Sequence, residues 1–420
     1  MVRKRSGLVL HKMWYALLVF YWLVGEPLSR VRDVGPISLS AYYAVLLFVS
    51  GWFVLMTTFL LRGKGFFCVG PLLRRPGNWL ISLWAMLALQ SSLLFIANTN
   101  VDLSYVLNSH FLLSALQEIL SWLIYGISIA NSFVFAFCNY STLGKYVRSI
   151  RVSLLITSIL LFLFKTRSLS AEVAVIGATA FFLANGTLRR FIFFLIPLVI
   201  LAYTGSRMAT IALIFGIALV YVVPLSIKKP STWKLVFIPA MVIATAFPVL
   251  VSSPAGMRLM PLLHGWLRGN LDAGQLNELT QGRFGVWPFI YEHALERVVV
   301  GHGPGTASAF AYFVSQSDRY MLPHNEYLRV FHNYGMTGLF IFASFYFLLI
   351  LYSKKGVFAE EGELRRWSQA LFGSTLTLLQ LFFTDNVGLY LYTLTVHALV
   401  VGAWLAVHNR SVNVLRGGVQ

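Results

Sequence analysis

The stretch GMTGLFIFASFYFLLILY, residues 335–352, carries no charged side chain over 18 positions. As a helix rising 1.5 Å per residue it would span about 27 Å, close to the ~30 Å hydrocarbon core of a bilayer. The residues just before it, Pro323-His-Asn-Glu-Tyr-Leu-Arg329, are polar and charged. The chain therefore passes here from an aqueous segment into a membrane. Working outward, similar apolar runs lie near residues 7–25, 38–61, 79–97, 112–136, 147–164, 171–186, 191–204, 208–225, 233–251, 367–384 and 388–407. The sequence predicts an all-α polytopic membrane protein of about 12 transmembrane helices, with one large helical loop between spans 9 and 10. Its three parts are residues 1–251 (spans 1 to 9), 252–334 (the loop) and 335–420 (spans 10 to 12 and a tail). Between 171 and 204 the spans are short, and Asn185 to Arg190 reads either as a turn between two helices or as an interruption in one. The composition agrees. With 58% hydrophobic and 11% charged residues, against the ~25% charged residues of an average soluble domain, a soluble globule is excluded.

Lys and Arg concentrate in short cytoplasmic loops of membrane proteins. Arg3 to Arg5, the Arg62–Arg75 group, Lys145 with Arg148 and Arg151, Arg189 with Arg190, Lys228 with Lys229 and Lys234, the Lys354–Arg366 group, and Arg410 with Arg416 all fall on alternate sides of successive spans. These cations share one face, so both termini are expected in the cytoplasm and the long loop outside, in a bacterium the periplasm. Met1 to Arg5 and the apolar run after it imitate a signal peptide. No small-residue cleavage site follows, so the run is read as a retained first helix. The formal charge of +18 serves topology and an anionic substrate rather than nucleic acid, because so apolar a chain has no soluble basic face to offer. Cys68 and Cys138 make no disulfide framework and have no metal-ligand spacing.

The loop concentrates polar chemistry: six arginines, His264, His293, His302 and His324 with His332 nearby, and six acids. Apolar positions at helical spacing predict a helix over Phe284 to Val300, which Gly301-His-Gly-Pro-Gly305 then breaks. That glycine-rich run lacks the Lys and the strand of a phosphate loop and reads as a turn. A second helix is expected from about Asn325 into the tenth span. Gly335 and Gly338, one helical turn apart, suit close approach of a neighbouring helix.

Three residues stand out. An imidazole such as His324 can accept a proton from a sugar hydroxyl near neutral pH; the alternative is a helix-capping or interfacial histidine. Arg207, beside an apolar span, reads as an anion ligand or as an interface anchor. Arg283 reads as a bidentate phosphate ligand or as a solvated loop cation. Within the spans, Glu118 and His397 are functional suspects, although Glu118 also suits pairing inside the bundle. The chain has no Asp-x-Asp pair, Gly-x-Ser-x-Gly or His-Glu-x-x-His. Neither a metal nor another cofactor is expected in the chemistry.

Taken together, these elements resemble the O-antigen ligase and Wzy-type polysaccharide polymerase superfamily. His324-Asn325, nine residues, then Gly335-Met-Thr-Gly338 reproduces one motif, and Arg283 with Trp287 a second. The third departs conservatively, since Ile211 stands where the pattern has Leu, four residues after Arg207. The resemblance implies a multi-pass protein of the bacterial inner membrane with its active site facing the periplasm. It implies transfer of a glycan from undecaprenyl diphosphate to an acceptor sugar hydroxyl, by direct displacement with inversion and without metal. His324 would be the general base and Arg207 and Arg283 would stabilise the departing diphosphate. Asn325, Trp287, Trp266 and Tyr327 are candidate substrate-binding residues. The acceptor would be a lipid-linked repeat unit, for a polymerase of O-antigen or exopolysaccharide, or lipid A core, for a ligase. The 323–329 run and the segment ending at Trp287 favour the polymerase slightly. A lipid-linked oligosaccharide flippase is the non-enzymatic alternative, which would call for charged midplane residues in both halves.

Overall fold

A computed structural model of the chain describes residues 11–21, 23, 39–61, 76–101, 109–165, 167–222, 283–315, 323–359, 362–383 and 387–415. Every regular element among these residues is helical. In chain order they are α1 (11–21), α2 (Leu39–Leu61), α3 (Gly77–Val101), α4 (Ser109–Cys138), α5 (Thr142–Phe164), α6 (Arg167–Leu183), α7 (Thr187–Tyr203), α8 (Arg207–Val222), α9 (Arg283–Leu295), α10 (Thr306–Ser315), α11 (Glu326–Val357), α12 (Glu363–Phe382) and α13 (Leu391–Leu415). A short 3₁₀ turn, Val387–Leu389, leads into α13. The expected ninth span at 233–251, Trp266 and most of the long loop lie outside the described residues.

Among the described residues, five stretches are long and apolar enough to cross a membrane: Gly77–Ala97, Ser114–Cys138, Thr142–Phe164, Glu326–Val357 and Leu391–Val412. The protein is therefore of the polytopic helical membrane class. Burial separates the centre of the bundle from its rim. The Leu391–Val412 window is 94% buried, whereas the Gly77–Ala97 window is 22% buried. Helix α13 thus runs through the middle, packed along α4, and α3 keeps most of its surface outward. Helix α5 shows how the sequence arranges this. Val152, Leu155, Ile159 and Phe162 recur every three or four residues on the exposed face, while Ser153, Thr157 and Ser158 lie buried with Ile150, Leu154 and Leu161. Small polar residues inside and large apolar ones outside are what lipid-facing helices require, because lipid tails give no hydrophobic reason to bury leucine.

The Asn185–Arg190 alternative resolves into two helices. Helix α6 ends at Leu183, Gly186 adopts φ +83°, and α7 begins at Thr187. The loop helix is shorter than expected. It closes at Leu295, and 296–300 are turns, because the backbone of that segment is used elsewhere.

The second loop helix starts at Glu326 and continues through the expected loop-to-membrane boundary into the long α11. Its backbone breaks once, at Gly335 (φ +63°, ψ −164°). The glycine pair does not act as two equal contact points for a neighbouring helix. A Cβ on Gly335 would stand 2.4 Å from the backbone of Val299, so it is the chain after α9 that lies against the break. At Gly338 the crowding comes from Tyr334 in the same helix, with Gln90 of α3 beyond it.

Candidate active site at the head of helix α11

Four backbone hydrogen bonds fasten the chain after α9 to the broken turn of α11. The amides of His302 and Gly303 donate to the carbonyls of His332 and Asn333 at 3.0 and 2.8 Å. Those of Met336 and Thr337 donate to Val298 and Val299 at 2.7 and 3.2 Å. Freeing α11 carbonyls and amides for this exchange requires the break at Gly335. Gly301 (φ +78°) completes the crossing, since a Cβ there would meet the amide nitrogen of Tyr334 at 2.4 Å.

Beneath the crossing lies a buried ionic network. Arg329 is fully buried and ion-paired to both Glu118 of α4 and Glu326. The other Glu118 oxygen accepts from the Gly305 amide at 3.0 Å and from the Asn333 side-chain amide at 2.8 Å. Asn333 in turn accepts from the Ala307 amide at 2.8 Å and the Thr306 hydroxyl at 3.0 Å. Glu118 thus fastens the Gly301–Gly305 turn and the start of α10 to the bundle. An isolated charge at such depth would be untenable, and three groups that saturate one another make it tolerable. His397, the other intramembrane suspect, lies between Tyr125 (Nδ1 to hydroxyl, 2.8 Å) and Thr375 (Nε2 to hydroxyl, 3.0 Å), deep in the packing.

His324 precedes this helix in a left-handed conformation, φ +52°, and is half-buried. Asn325 caps α11, its side chain accepting from the Leu328 amide at 3.0 Å. His324 therefore stands outside the helix on a bent backbone held on its far side by the cap. It is held on the near side by Trp287, whose indole N–H donates to the Pro323 carbonyl at 2.7 Å. Trp287 lies one turn beyond Arg283, the first residue of α9, or about 6 Å along the axis. Trp287 thus ties α9, one turn in from Arg283, to the residue before His324.

Arg207 opens α8 after a turn at Thr204 to Ser206, with Gly205 at φ +75°, and is half-buried. Helix α8 runs antiparallel to α12. Gly216 abuts Gly373 and Thr377, and Gly373 abuts Val220. Nine residues back from Gly216 brings Arg207 to the level at which α12 ends, where Phe383 meets the Trp287 ring edge to face at 6.3 Å. Arg207, Arg283 and His324 accordingly belong to one end of the bundle. Tyr327 does not open outward with them. Its hydroxyl donates to the Leu379 carbonyl at 2.9 Å and its ring packs on Phe342 and Phe382.

Sequence reading missed a group of histidines beside this site. His293 of α9, His302 of the glycine-rich turn and His332 of α11 converge. Burial lowers the pKa of His293 and of His302 below the ordinary value, with neighbouring Arg297 adding to the effect in both. The only trace in the sequence is a count of loop histidines, since their spacings of nine and thirty residues match no local motif.

Residues 191–343 match the family model described as O-antigen ligase. Over those residues the chain is similar to the O-antigen ligase and Wzy-type superfamily. The match takes in most of α7, all of α8, α9 and α10 and the first half of α11, and so spans the positions of Arg207, Arg283 and His324. It supports a ligase- or polymerase-type glycosyltransferase acting on lipid-linked glycan in a membrane. No curated protein matches the chain.

Proposed function

We propose that the protein is a periplasm-facing, inverting glycosyltransferase that transfers a glycan from undecaprenyl diphosphate to an acceptor sugar hydroxyl, and that it acts as an O-antigen or exopolysaccharide polymerase. The observation that supports this reading is the Trp287–Pro323 bond, which ties α9, the helix that Arg283 opens, to the residue before His324. An imidazole held there on strained backbone, outside the membrane-spanning part of α11, is suited to take the acceptor proton as the hydroxyl attacks the anomeric carbon. Two guanidinium groups at the same end would neutralise the departing diphosphate, the charge compensation that Mg²⁺ supplies elsewhere. Oxygen of the acceptor forms the new glycosidic bond, and the bond to the diphosphate oxygen breaks with inversion. The lone-pair nitrogen of His324 takes the proton.

The ligase reading uses the same residues with lipid A core as acceptor. Purified protein incubated with undecaprenyl-diphosphate-linked repeat unit should build a ladder of products without added core. A single core-linked product, formed only when core is present, would show a ligase. No product with either acceptor would overturn the enzymatic reading and favour a flippase.

A further inference from the structure

The three converging histidines form a site that the proposed chemistry does not use. Their candidate donor nitrogens all lie within 4.8 Å of one another. His293 Nδ1 and His332 Nε2 face each other at 2.8 Å. Each ring has a polar group against the nitrogen that would point away from a shared centre. His302 Nε2 donates to the His293 carbonyl at 2.8 Å, which leaves its Nδ1 as a lone pair. His332 Nδ1 is 3.3 Å from both the Thr306 hydroxyl and the Asn333 side-chain oxygen, which directs the Nε2 lone pair inward. His293 Nε2 lies 3.7 Å from the Glu296 carboxylate, ready to take the ring proton once Nδ1 gives it up. Acceptors behind ligating imidazoles are the usual outer shell of a metal site, since they set tautomer and orientation.

We infer that His293, His302 and His332 bind one divalent transition-metal ion of the zinc class. Imidazole donors without thiolate or clustered carboxylate suit Zn²⁺, Ni²⁺ or Cu²⁺ rather than Ca²⁺ or Mg²⁺. A tetrahedral zinc with bonds of about 2.0–2.1 Å needs donor atoms about 3.3 Å apart. That lies between the 2.8 Å of the His293–His332 pair and the 4.8 Å bound, and the rings, stacked with centroids 4.2 to 5.0 Å apart, would turn their nitrogens toward a shared ion. A water would complete the coordination, and His293, its side chain 25% exposed, gives an entry path. Glu296 and Arg297 act on His293 with opposite sign. Phe310, stacked on His293 at 4.1 Å, walls one side. The ligands come from α9, the glycine-rich turn and α11, so the ion would fasten together the three elements that the backbone crossing already joins. It would brace the site without entering the sugar transfer.

The test uses the full-length protein in detergent, purified by a tag free of histidine, stripped with chelator and titrated with Zn²⁺ and Co²⁺. The expected result is one ion per chain, a tetrahedral Co²⁺ absorption spectrum, and a higher thermal midpoint with Zn²⁺. His293→Gln and His302→Gln should each weaken binding at least about tenfold, and Cys68→Ser/Cys138→Ser should leave it unchanged. Retention of full affinity by the His293→Gln/His302→Gln protein would overturn the assignment. So would a wild-type Co²⁺ spectrum without tetrahedral bands, a result that does not depend on any variant folding. Glycan transfer is a separate readout: its loss with metal binding intact would strike the proposed function and leave this site standing.

Discussion

The indole N–H of Trp287 donates to the carbonyl oxygen of Pro323 at 2.7 Å, and this contact joins α9 to the residue directly before His324. Pro323 has no amide hydrogen of its own to anchor the bend, so its carbonyl is the available handle. Trp287→Phe keeps an aromatic ring against Phe383 and removes the donor. A neutral hydrogen bond contributes about 0.5–1.5 kcal/mol. If its role is to hold His324 in place, turnover should fall by about tenfold, equal to about 1.4 kcal/mol of barrier. Expression and thermal midpoint should change little. A Trp287→Phe enzyme with wild-type kcat would show that the bond does not position the base.

Gly335 and Gly144 make a matched pair for testing the backbone crossing. At Gly335 a methyl group would collide with the Val299 backbone, and φ is +63°. At Gly144, inside α5, nothing lies within 4 Å. Gly335→Ala should therefore lower the thermal midpoint sharply and detach the chain after α9. Gly144→Ala should be neutral or stabilising by up to about 1 kcal/mol, the helix-propensity difference. Equal midpoints for the two variants would contradict the described crossing.

The Glu118–Arg329–Glu326 network predicts an order of severity. Removing one member of a buried ion pair costs about 3–5 kcal/mol, because a charge is left uncompensated. Arg329→Met leaves two buried carboxylates facing each other and should be the worst. Glu118→Gln keeps an acceptor for Gly305 and leaves Arg329 paired with Glu326, so it should be milder. In Glu118→Gln/Arg329→Met the second change should cost less than it does alone. Thermal unfolding of the four proteins measures this, and strictly additive losses would mean that the groups do not interact.

Much of the helical organisation was legible because lipid imposes it. The run 335–352 follows from the bilayer as solvent, and the turn at Gly186, one of two open readings of Asn185 to Arg190, uses glycine's freedom at positive φ. Glu118 was legible as a suspect, and its pairing within the bundle was one of two open readings. Its partners were not, since Arg329 and Asn333 lie more than two hundred residues away. The histidine group was hidden because spacings of nine and thirty residues match no local motif. The early end of α9 at Leu295 was hidden for another reason: apolar spacing through Val298 continues the helical pattern, but tertiary hydrogen bonds to α11 outcompete the helix there. Tyr327 looked like a sugar platform by residue type, and its hydroxyl is already taken by Leu379.

His324 and the two arginines should separate kinetically. If His324 takes the acceptor proton, His324→Ala should slow the chemical step by about 10²- to 10⁴-fold while donor binding survives. Arg207→Lys and Arg283→Lys keep the charge and lose the planar fork, so both should weaken binding of undecaprenyl diphosphate itself if it is gripped bidentately. The comparison needs an inert histidine. On a regular helix starting at His324, His332 would point about 80° away and would serve. In the structure His324 lies outside the helix, and His332 is buried, bonded to His293 and held near Asn333. His332→Ala is therefore expected to destabilise the fold. His408, stacked on Trp404 toward the opposite end of α13, is the better control, and His408→Ala should turn over normally. Single-turnover rates with donor binding measured in parallel decide the matter. Wild-type chemistry in His324→Ala would leave His324 as the residue that turns the chain into the Asn325 cap, and the general base would have to be sought elsewhere.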